Sequence, residues 1–148
     1  MHLANTLADF YERDLRKLAE EINLFKHEEH LWQTSGSITN SAGNLALHII
    51  GGVNHLVGAT LAHTGYMRSR NQEFAIKHVP RHVILAQLQD VTLLVPQTIN
   101  NLTEDQLQAE YPIFFDKPGT STAYVLLQLA LHLNYHLGQV NYLRRMLE

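Results

Sequence analysis

The sequence contains no cysteine among its 148 residues. This absence excludes disulfide bonds, iron–sulfur clusters, cysteine-ligated zinc and a cysteine nucleophile. A protein of this composition can take part in thiol chemistry only through a thiol that is supplied from outside. The lack of cysteine also fits a reducing compartment, and we expect the protein to be cytoplasmic.

Signals for a membrane or a nucleic acid are equally sparse. The first residues, MHLANTLADFYERD, show no basic region followed by an apolar run, and the longest apolar stretch, Tyr124 to Leu133, includes Gln128 and His132. That stretch is well short of the ~20 apolar residues that span a bilayer. The formal net charge of −3 gives no attraction to polyanions. We therefore expect neither membrane insertion nor nucleic-acid binding.

Four segments carry apolar residues at the three- and four-residue spacing of α-helices, and none shows a convincing strand pattern. With 45% apolar content, the chain can bury one core, so we expect residues 1–148 to form a single domain. The predicted helices run from about Leu3 to Phe25, from Ala42 to His63, from Arg81 to Asn101 and from Ser121 to Leu147. This pattern predicts an all-α protein, specifically a four-helix bundle.

The connections between these helices are long, which permits one crossover between parallel helices. We predict a loop over Lys26 to Ser41, a polar connection over Thr64 to Val79, and a long loop after the third helix with a short turn started by Thr103. Asn40 or Ser41 can cap the second helix, and Thr120 or Ser121 the last one. Pro96 removes a backbone donor inside the third helix, which predicts a kink or a break there.

The last helix carries two histidines within its apolar stripe. His132 and His136 are four residues apart and are surrounded by leucines, so both side chains lie on one side of the helix. A buried imidazole needs a partner, because an unpaired buried polar group costs about 1–3 kcal/mol. The spacing is compatible with two readings, hydrogen-bonded core histidines or metal ligands, since four residues of helix rise about 6 Å.

A third ligand should come from another helix, and His48 is the best candidate. It flanks the apolar face of the second helix beside Gly51 and Gly52, where the missing side chains permit close approach by another helix or a ligand. His55 lies on nearly the same side but about 10.5 Å further along the helix axis, so we assign it at most a substrate contact. The pair His78 and His82 starts a helix in polar surroundings, and we expect it to bind no metal.

Other metal sites are excluded by spacing. No glutamate is followed three residues later by a histidine, which removes support for a carboxylate di-iron site. The motifs H-E-x-x-H and C-x-x-C-H are also absent. An all-imidazole site with open coordination positions suits zinc, nickel, copper or iron.

Three segments, in this order, carry a family resemblance: TNSAGNLALHIIGG in the second helix, RSRNQEF in the following connection and LHLNYHLGQVNYL in the last helix. Together they resemble the DinB-like superfamily of small metal-binding four-helix bundles. The resemblance implies that His48, His132 and His136 hold a divalent metal ion, for which we expect zinc, nickel or iron. It also implies an up-down-down-up arrangement with the crossover at Thr64 to Val79, and a homodimer, to which the apolar residues Leu127 and Leu131 of the last helix could contribute.

The resemblance also indicates a class of reaction. Characterised relatives are similar to metal-dependent transferases that join a low-molecular-weight thiol to an electrophilic small molecule, and we expect an activity of this kind here. Arg68 and Arg70 are then candidates for binding carboxylates of the thiol, because guanidinium groups pair well with planar anions. The alternatives are a metal- or ligand-binding bundle without turnover and a bis-histidine haem protein.

Overall fold

The computed structural model describes residues 2–148, and its regular structure is helical. The six α-helices are α1 (Leu3–Leu24), α2 (Ala42–Ala62), α3 (Arg70–Ala75), α4 (Arg81–Asn100), α5 (Glu104–Gln108) and α6 (Thr122–Leu147). A 3-10 helix, Glu28–Trp32, lies between α1 and α2. Residues 2–148 include two isolated β-bridges and no strand. The prediction of an all-α protein is confirmed.

The helix starts follow the capping signals of the sequence. The Ser41 hydroxyl accepts a hydrogen bond from the backbone N–H of Asn44 at the start of α2, and the Ser121 hydroxyl accepts one from Tyr124 at the start of α6. Thr103 begins α5 with a capping box that includes Gln106. These side chains satisfy N–H groups that have no partner within the helix.

One local prediction is wrong: the segment Lys26–Ser41 is not a loop throughout, because it contains the 3-10 helix. The polar connection Thr64–Val79 contains the short helix α3, which the sequence did not predict. These short helices show no apolar periodicity in the sequence, because each has only five or six residues and a single buried side chain. Contacts with the rest of the protein stabilise them. At Pro96, where the sequence predicts a kink or a break, α4 continues through the buried proline without a break.

The core lies between the apolar stripes of the four long helices. The buried residues of α1 include Leu7, Tyr11, Leu15, Leu18 and Ile22, and those of α4 include Ile84, Leu88, Val91, Val95 and Ile99. The stripe of α6 contributes Leu126, Leu129, Leu133, Val140 and Leu143. Each set follows the helical spacing seen in the sequence, so burial of these side chains drives the helices together.

Polar contacts reveal how α1 lies against two of the other long helices. The Tyr11 hydroxyl donates to the Leu126 carbonyl (2.6 Å), and further along α1 the buried Glu21 accepts from Asn141 (2.8 Å) and Arg144 (2.9 Å). Residue numbers rise together in these pairs, so α1 and α6 run in the same direction. Against α4 the order is reversed, with Asn5 near Asn100 and Arg81 near Asn23.

α2 is the most apolar long helix and is irregularly wound. Its middle segment, Asn54–Ala59, forms a π-helix that the sequence did not predict. By length and composition α2 could cross a membrane, with a mean hydropathy of 1.5, but 61% of the relevant window is buried inside the protein. Packing within a core explains this hydropathy, since core helices pass the same test. Glycines and polar residues interrupt the apolar run in α2, which is why the longest apolar stretch predicted from the sequence lies in α6.

Candidate metal centre

Three histidines from two helices meet at one point on the protein. His48 from α2 and His132 and His136 from α6 each direct a ring nitrogen so that the three nitrogens lie within 4.8 Å of one another. The Nε2 atoms of His48 and His132 are 2.9 Å apart. The structure thus brings together the three residues that the sequence singled out as metal ligands. Among the described residues no other group of this kind is found.

The remaining histidine candidates lie elsewhere. His55 is half-buried in the π-helical segment of α2 and is not part of the three-histidine group. His78 has a left-handed backbone conformation (φ 61°) and packs near Trp32, with ring centroids 6.3 Å apart, while His82 is exposed at the start of α4. His78 and His82 are accordingly not brought to the three histidines.

A buried glutamate that the sequence reading missed orients His48. Oε1 of Glu73, on α3, lies 3.0 Å from Nδ1 of His48, and both side chains are almost fully buried. A carboxylate can only accept, so Nδ1–H of His48 donates to it, and the lone pair of the neutral ring is on Nε2. Metal-binding histidines commonly donate a hydrogen bond of this kind from the ring nitrogen that does not bind the metal. The carboxylate that accepts it fixes the tautomer and the orientation of the ring.

Gly51 makes this approach possible. A Cβ added to Gly51 would lie 1.8 Å from Oε2 of Glu73, so the carboxylate of Glu73 would have to move away from its present position. At Gly52, the next residue, an added Cβ would make only an ordinary van der Waals contact with Nη2 of Arg68, at 3.6 Å. The sequence predicted close approach at these glycines, and at Gly51 the approaching group is the side chain of Glu73.

Asn44 fixes the position of α3 and hence of Glu73. Its side-chain amide is fully buried and donates to the backbone carbonyls of Glu73 (2.9 Å) and Ile76 (2.7 Å). These carbonyls lie at the end of α3, where a helix leaves acceptors without internal partners. α3 is only one and a half turns long, so this anchor compensates for its weak intrinsic stability.

The two candidate arginines differ in their surroundings. Arg68 forms a two-point ion pair with Glu73, through Nε to Oε2 (2.9 Å) and Nη2 to Oε1 (3.0 Å). Arg70 is exposed and rests its guanidinium over the Phe74 ring at 5.3 Å. The charge of Arg68 is therefore balanced within the site, whereas Arg70 makes no carboxylate pair among the described residues. Arg70 is the better candidate for an anionic ligand.

The surroundings of His48 and His132 favour neutral imidazole rings at neutral pH. Burial lowers the pKa of His48, and its hydrogen bond to Glu73 only partly opposes this effect. Although His132 still reaches solvent, partial burial and the neighbouring His136 and His48 lower its pKa to about 4. A neutral ring offers a lone pair to a cation, so His48 and His132 need no proton release to bind a metal near pH 7.

The donor set fits a divalent metal ion. Nitrogen–metal bonds are about 2.0–2.1 Å long for zinc, so small side-chain movements suffice to bring the three nitrogens onto one ion. A hydrogen-bond partner also orients the His136 ring, because its Nδ1 lies 2.7 Å from Oε1 of Gln139. Three imidazoles with orienting partners can hold zinc, nickel, copper or iron, and they leave coordination positions for other molecules.

Two cavities flank the three histidines along α6. The first, here called the arginine cavity, has a volume of about 550 Å³ and is lined by Arg68, Arg70, Gln128, His132 and Tyr135 among others. The second, here called the uncharged cavity, has a volume of about 400 Å³. Its lining includes Ile38, Leu45, His136, Gln139 and Leu143. A histidine of the group thus lies in the wall of each cavity.

Comparison with known proteins identifies a family but no activity. The model of a family described as "Protein of unknown function (DUF1572)" matches residues 3–148. No curated protein matches the chain. The family description does not mention the DinB-like superfamily, so that resemblance stays a prediction.

Proposed function

The chain belongs to the DUF1572 family, and we propose that it is a DinB-like, metal-dependent transferase that joins an external low-molecular-weight thiol to an electrophilic small molecule. The observation that carries this proposal is the meeting of His48, His132 and His136 between two cavities. A binding site that only stored metal would not need a separate cavity on each side.

The proposed fold is the up-down-down-up four-helix bundle of the DinB-like type. It is supported by the parallel order of the contacts between α1 and α6 and by the antiparallel order of those between α1 and α4. In this arrangement the crossover between the parallel helices α2 and α4 includes α3. The crossover therefore delivers Glu73 and Arg68 to the metal centre, which gives the long connection a function.

In the proposed reaction the protein binds the thiol and orients it. A divalent ion held by the three histidines would act as a Lewis acid and lower the pKa of the thiol. Glu73 keeps His48 in the tautomer that presents Nε2, and Arg68 neutralises Glu73. Arg70 supplies a positive charge for a carboxylate of the thiol compound. When the electrophile carries a leaving group, the bond to that group breaks as the new S–C bond forms, the leaving group takes the electron pair and the thiol proton passes to solvent. When the electrophile is an activated alkene, nothing leaves, and the second alkene carbon takes up a proton.

A homodimer is part of the proposal. Leu127 and Leu131 of α6 are 45% and 66% exposed, and they lie on the side of the helix away from its buried stripe. Tyr135, one turn further, is also exposed and lines the arginine cavity. A second copy that covers this face would bury the apolar residues and narrow the cavity next to it. We also propose that the protein acts in the cytoplasm, where low-molecular-weight thiols are kept reduced.

The decisive experiment combines metal analysis with a conjugation assay. Protein purified without a metal-binding tag is analysed for zinc, nickel, copper and iron, and is then assayed with bacillithiol, glutathione and mycothiol against several electrophiles. The proposal requires an increase in conjugation rate that disappears after chelation. If loaded protein stays at the uncatalysed rate with every thiol, the transferase proposal is wrong and the site binds metal or ligand without turnover.

A further inference from the structure

The uncharged cavity differs from the arginine cavity in its chemistry. None of its lining residues is an aspartate, glutamate, lysine or arginine, and the apolar side chains Ile38, Leu45 and Leu143 form much of its wall. The arginine cavity carries both Arg68 and Arg70. The arginine cavity therefore favours an anion, which its two guanidinium groups attract. In the uncharged cavity an anion would lose part of its hydration and would meet no arginine or lysine side chain in return.

The uncharged cavity has the size and the polar groups of a small-molecule site. Its volume of about 400 Å³ lies within the range of known ligand pockets, which combine apolar walls with a few polar groups. One of these groups is Gln139, whose Oε1 lies 2.7 Å from Nδ1 of His136. With Oε1 accepting from His136, the Nε2 amide of Gln139 keeps its two hydrogens to donate to another molecule.

We propose that the uncharged cavity binds an uncharged, largely apolar molecule with a carbonyl-type acceptor, and that this molecule is the electrophilic co-substrate. The assignment of co-substrate rests on the proposed transferase function, whereas binding in the cavity does not. The ligand lies against Leu45 and Leu143, and its acceptor faces the amide of Gln139. The wall of the cavity includes His136, so the ligand is held beside the metal centre, opposite the anionic thiol compound.

Binding is tested with the neutral dye Prodan, whose naphthalene is apolar and whose ketone is a hydrogen-bond acceptor. Metal-free protein should bind Prodan saturably, with a blue shift of its emission. The Ile38→Asp variant places a charge in the apolar wall and should weaken binding at least about tenfold, the equivalent of about 1.4 kcal/mol. Ile38 is on the surface, at 37% exposure, so the substitution should leave the fold intact.

A matched control adds the same charge to the other cavity. Gln128→Asp, in the arginine cavity, should leave Prodan affinity within about twofold of the unaltered protein. Backbone amide NMR shifts caused by Prodan should centre on Ile38, Thr39 and Gln139. Absence of saturable binding, equal weakening in the two variants, or shifts centred on Arg70 and Gln128 would each overturn the assignment of the cavity.

The role as co-substrate is tested with acrylodan, the thiol-reactive analogue of Prodan. Its alkene forms an S–C bond with the thiol at one carbon, and the other alkene carbon takes up a proton, so nothing leaves. The protein has no cysteine that acrylodan could label. Ile38→Asp should raise KM for acrylodan about tenfold with kcat nearly unchanged. Leu93→Asp, at an exposed residue outside both cavities, should leave KM for acrylodan unchanged. Unchanged KM in the Ile38 variant would refute the co-substrate role, and Prodan binding without any turnover would refute only the transferase function.

Discussion

The carboxylate of Glu73 occupies the space that a side chain on Gly51 would fill. Oε2 of Glu73 lies 1.8 Å from the ideal Cβ position of Gly51, and Oε1 accepts the hydrogen bond from His48. One glycine in α2 thus permits the contact that orients a proposed metal ligand one turn earlier in the same helix. A glycine costs about 1 kcal/mol relative to alanine inside a helix, so this position gives up local stability for the site.

Gly51→Ala should therefore lower metal affinity without altering any proposed ligand. The new methyl group displaces Glu73, which frees the His48 ring and separates Arg68 from its counter-charge. We expect about a 10–100-fold loss of affinity, as for other changes to groups that orient metal ligands. Competition with a chromophoric chelator measures it.

The matched control for this substitution is Gly138→Ala in α6. Apart from its chain neighbours and the adjacent backbone of α6, nothing lies within 4 Å of the position its Cβ would take, so the variant should keep its metal affinity and gain about 0.5–1 kcal/mol in free energy of unfolding. Equal metal affinity in the two alanine variants would show that Glu73 does not support the site.

The three histidines should each be required for metal binding. Alanine at His48, His132 or His136 removes one of the nitrogens that lie within 4.8 Å of one another, and metal content after dialysis should fall well below one ion per chain. His78→Ala and His82→Ala serve as controls and should retain the full content. Stoichiometric metal in the His136→Ala protein would contradict the assignment.

The sequence predicted the parts of the fold that depend on helical periodicity. The buried stripes of α1, α4 and α6 have the same spacing in sequence and structure, and Ser41 and Ser121 cap the helices they were expected to cap. Periodicity also placed His132 and His136 on one side of α6. These features depend on residues that are close together in the chain, so the local sequence is enough to predict them.

Glu73 and α3 could not be predicted in the same way. α3 has six residues, too few for a periodic pattern, and it is stabilised by Asn44, which is 29 residues away from Glu73 in the chain. Two sequence signals were indirect. The adjacent glycines in α2 indicated that something approached closely, without indicating what, and the segment RSRNQEF, which contains Glu73, contributed to the family resemblance without a role for the glutamate. The π-helical segment of α2 carries no distinctive composition, so it was also missed.

The side chain of Glu148 should make stability depend on acid pH. Desolvation raises its pKa, but hydrogen bonds from the backbone of Lys26, the side chain of His30 and the backbone of His27 outweigh this and lower it to about 2. A carboxylate whose pKa is lower in the folded than in the unfolded chain stabilises the folded state. This contribution is complete at pH values above the pKa of the unfolded chain, near 4.5, and is lost as the pH falls toward 2.

The comparison is between the unaltered protein and Glu148→Gln in urea unfolding at several pH values. The variant should be less stable at pH 6, and the difference should shrink between about pH 4.5 and pH 2. Glu29→Gln, at an exposed carboxylate in the nearby 3-10 helix, should show a smaller difference. A difference for Glu148→Gln that stays constant down to pH 2 would contradict the assigned hydrogen bonds.

The proposed dimer predicts that one exposed leucine matters and another does not. Leu131 on α6 and Leu93 on α4 are almost equally exposed, at 66% and 65%. If a second copy covers α6, Leu131→Glu should shift the protein toward monomer in sedimentation at micromolar concentration, while Leu93→Glu should have no effect. A monomer before any substitution would refute the dimer.

The last prediction separates the roles of the two arginines. Arg68 is paired with Glu73 and lies 3.4 Å from Nδ1 of His48, so its loss leaves a buried carboxylate without its cation. Arg68→Ala should therefore weaken metal binding. Arg70 makes no such pair and faces the arginine cavity, so Arg70→Ala should keep the metal and raise KM for an anionic thiol by about tenfold, the loss of one charged contact.

Three measurements distinguish these outcomes: metal content, KM for the thiol, and KM for a neutral electrophile such as acrylodan. Arg70→Ala should change only the second. The metal-free protein and the His132→Ala variant should both fall to the uncatalysed rate, which ties turnover to the three-histidine site. An Arg70→Ala protein with unchanged KM for bacillithiol, glutathione and mycothiol would show that the arginine cavity does not bind the thiol compound, since no other unpaired cationic side chain lines it among the described residues.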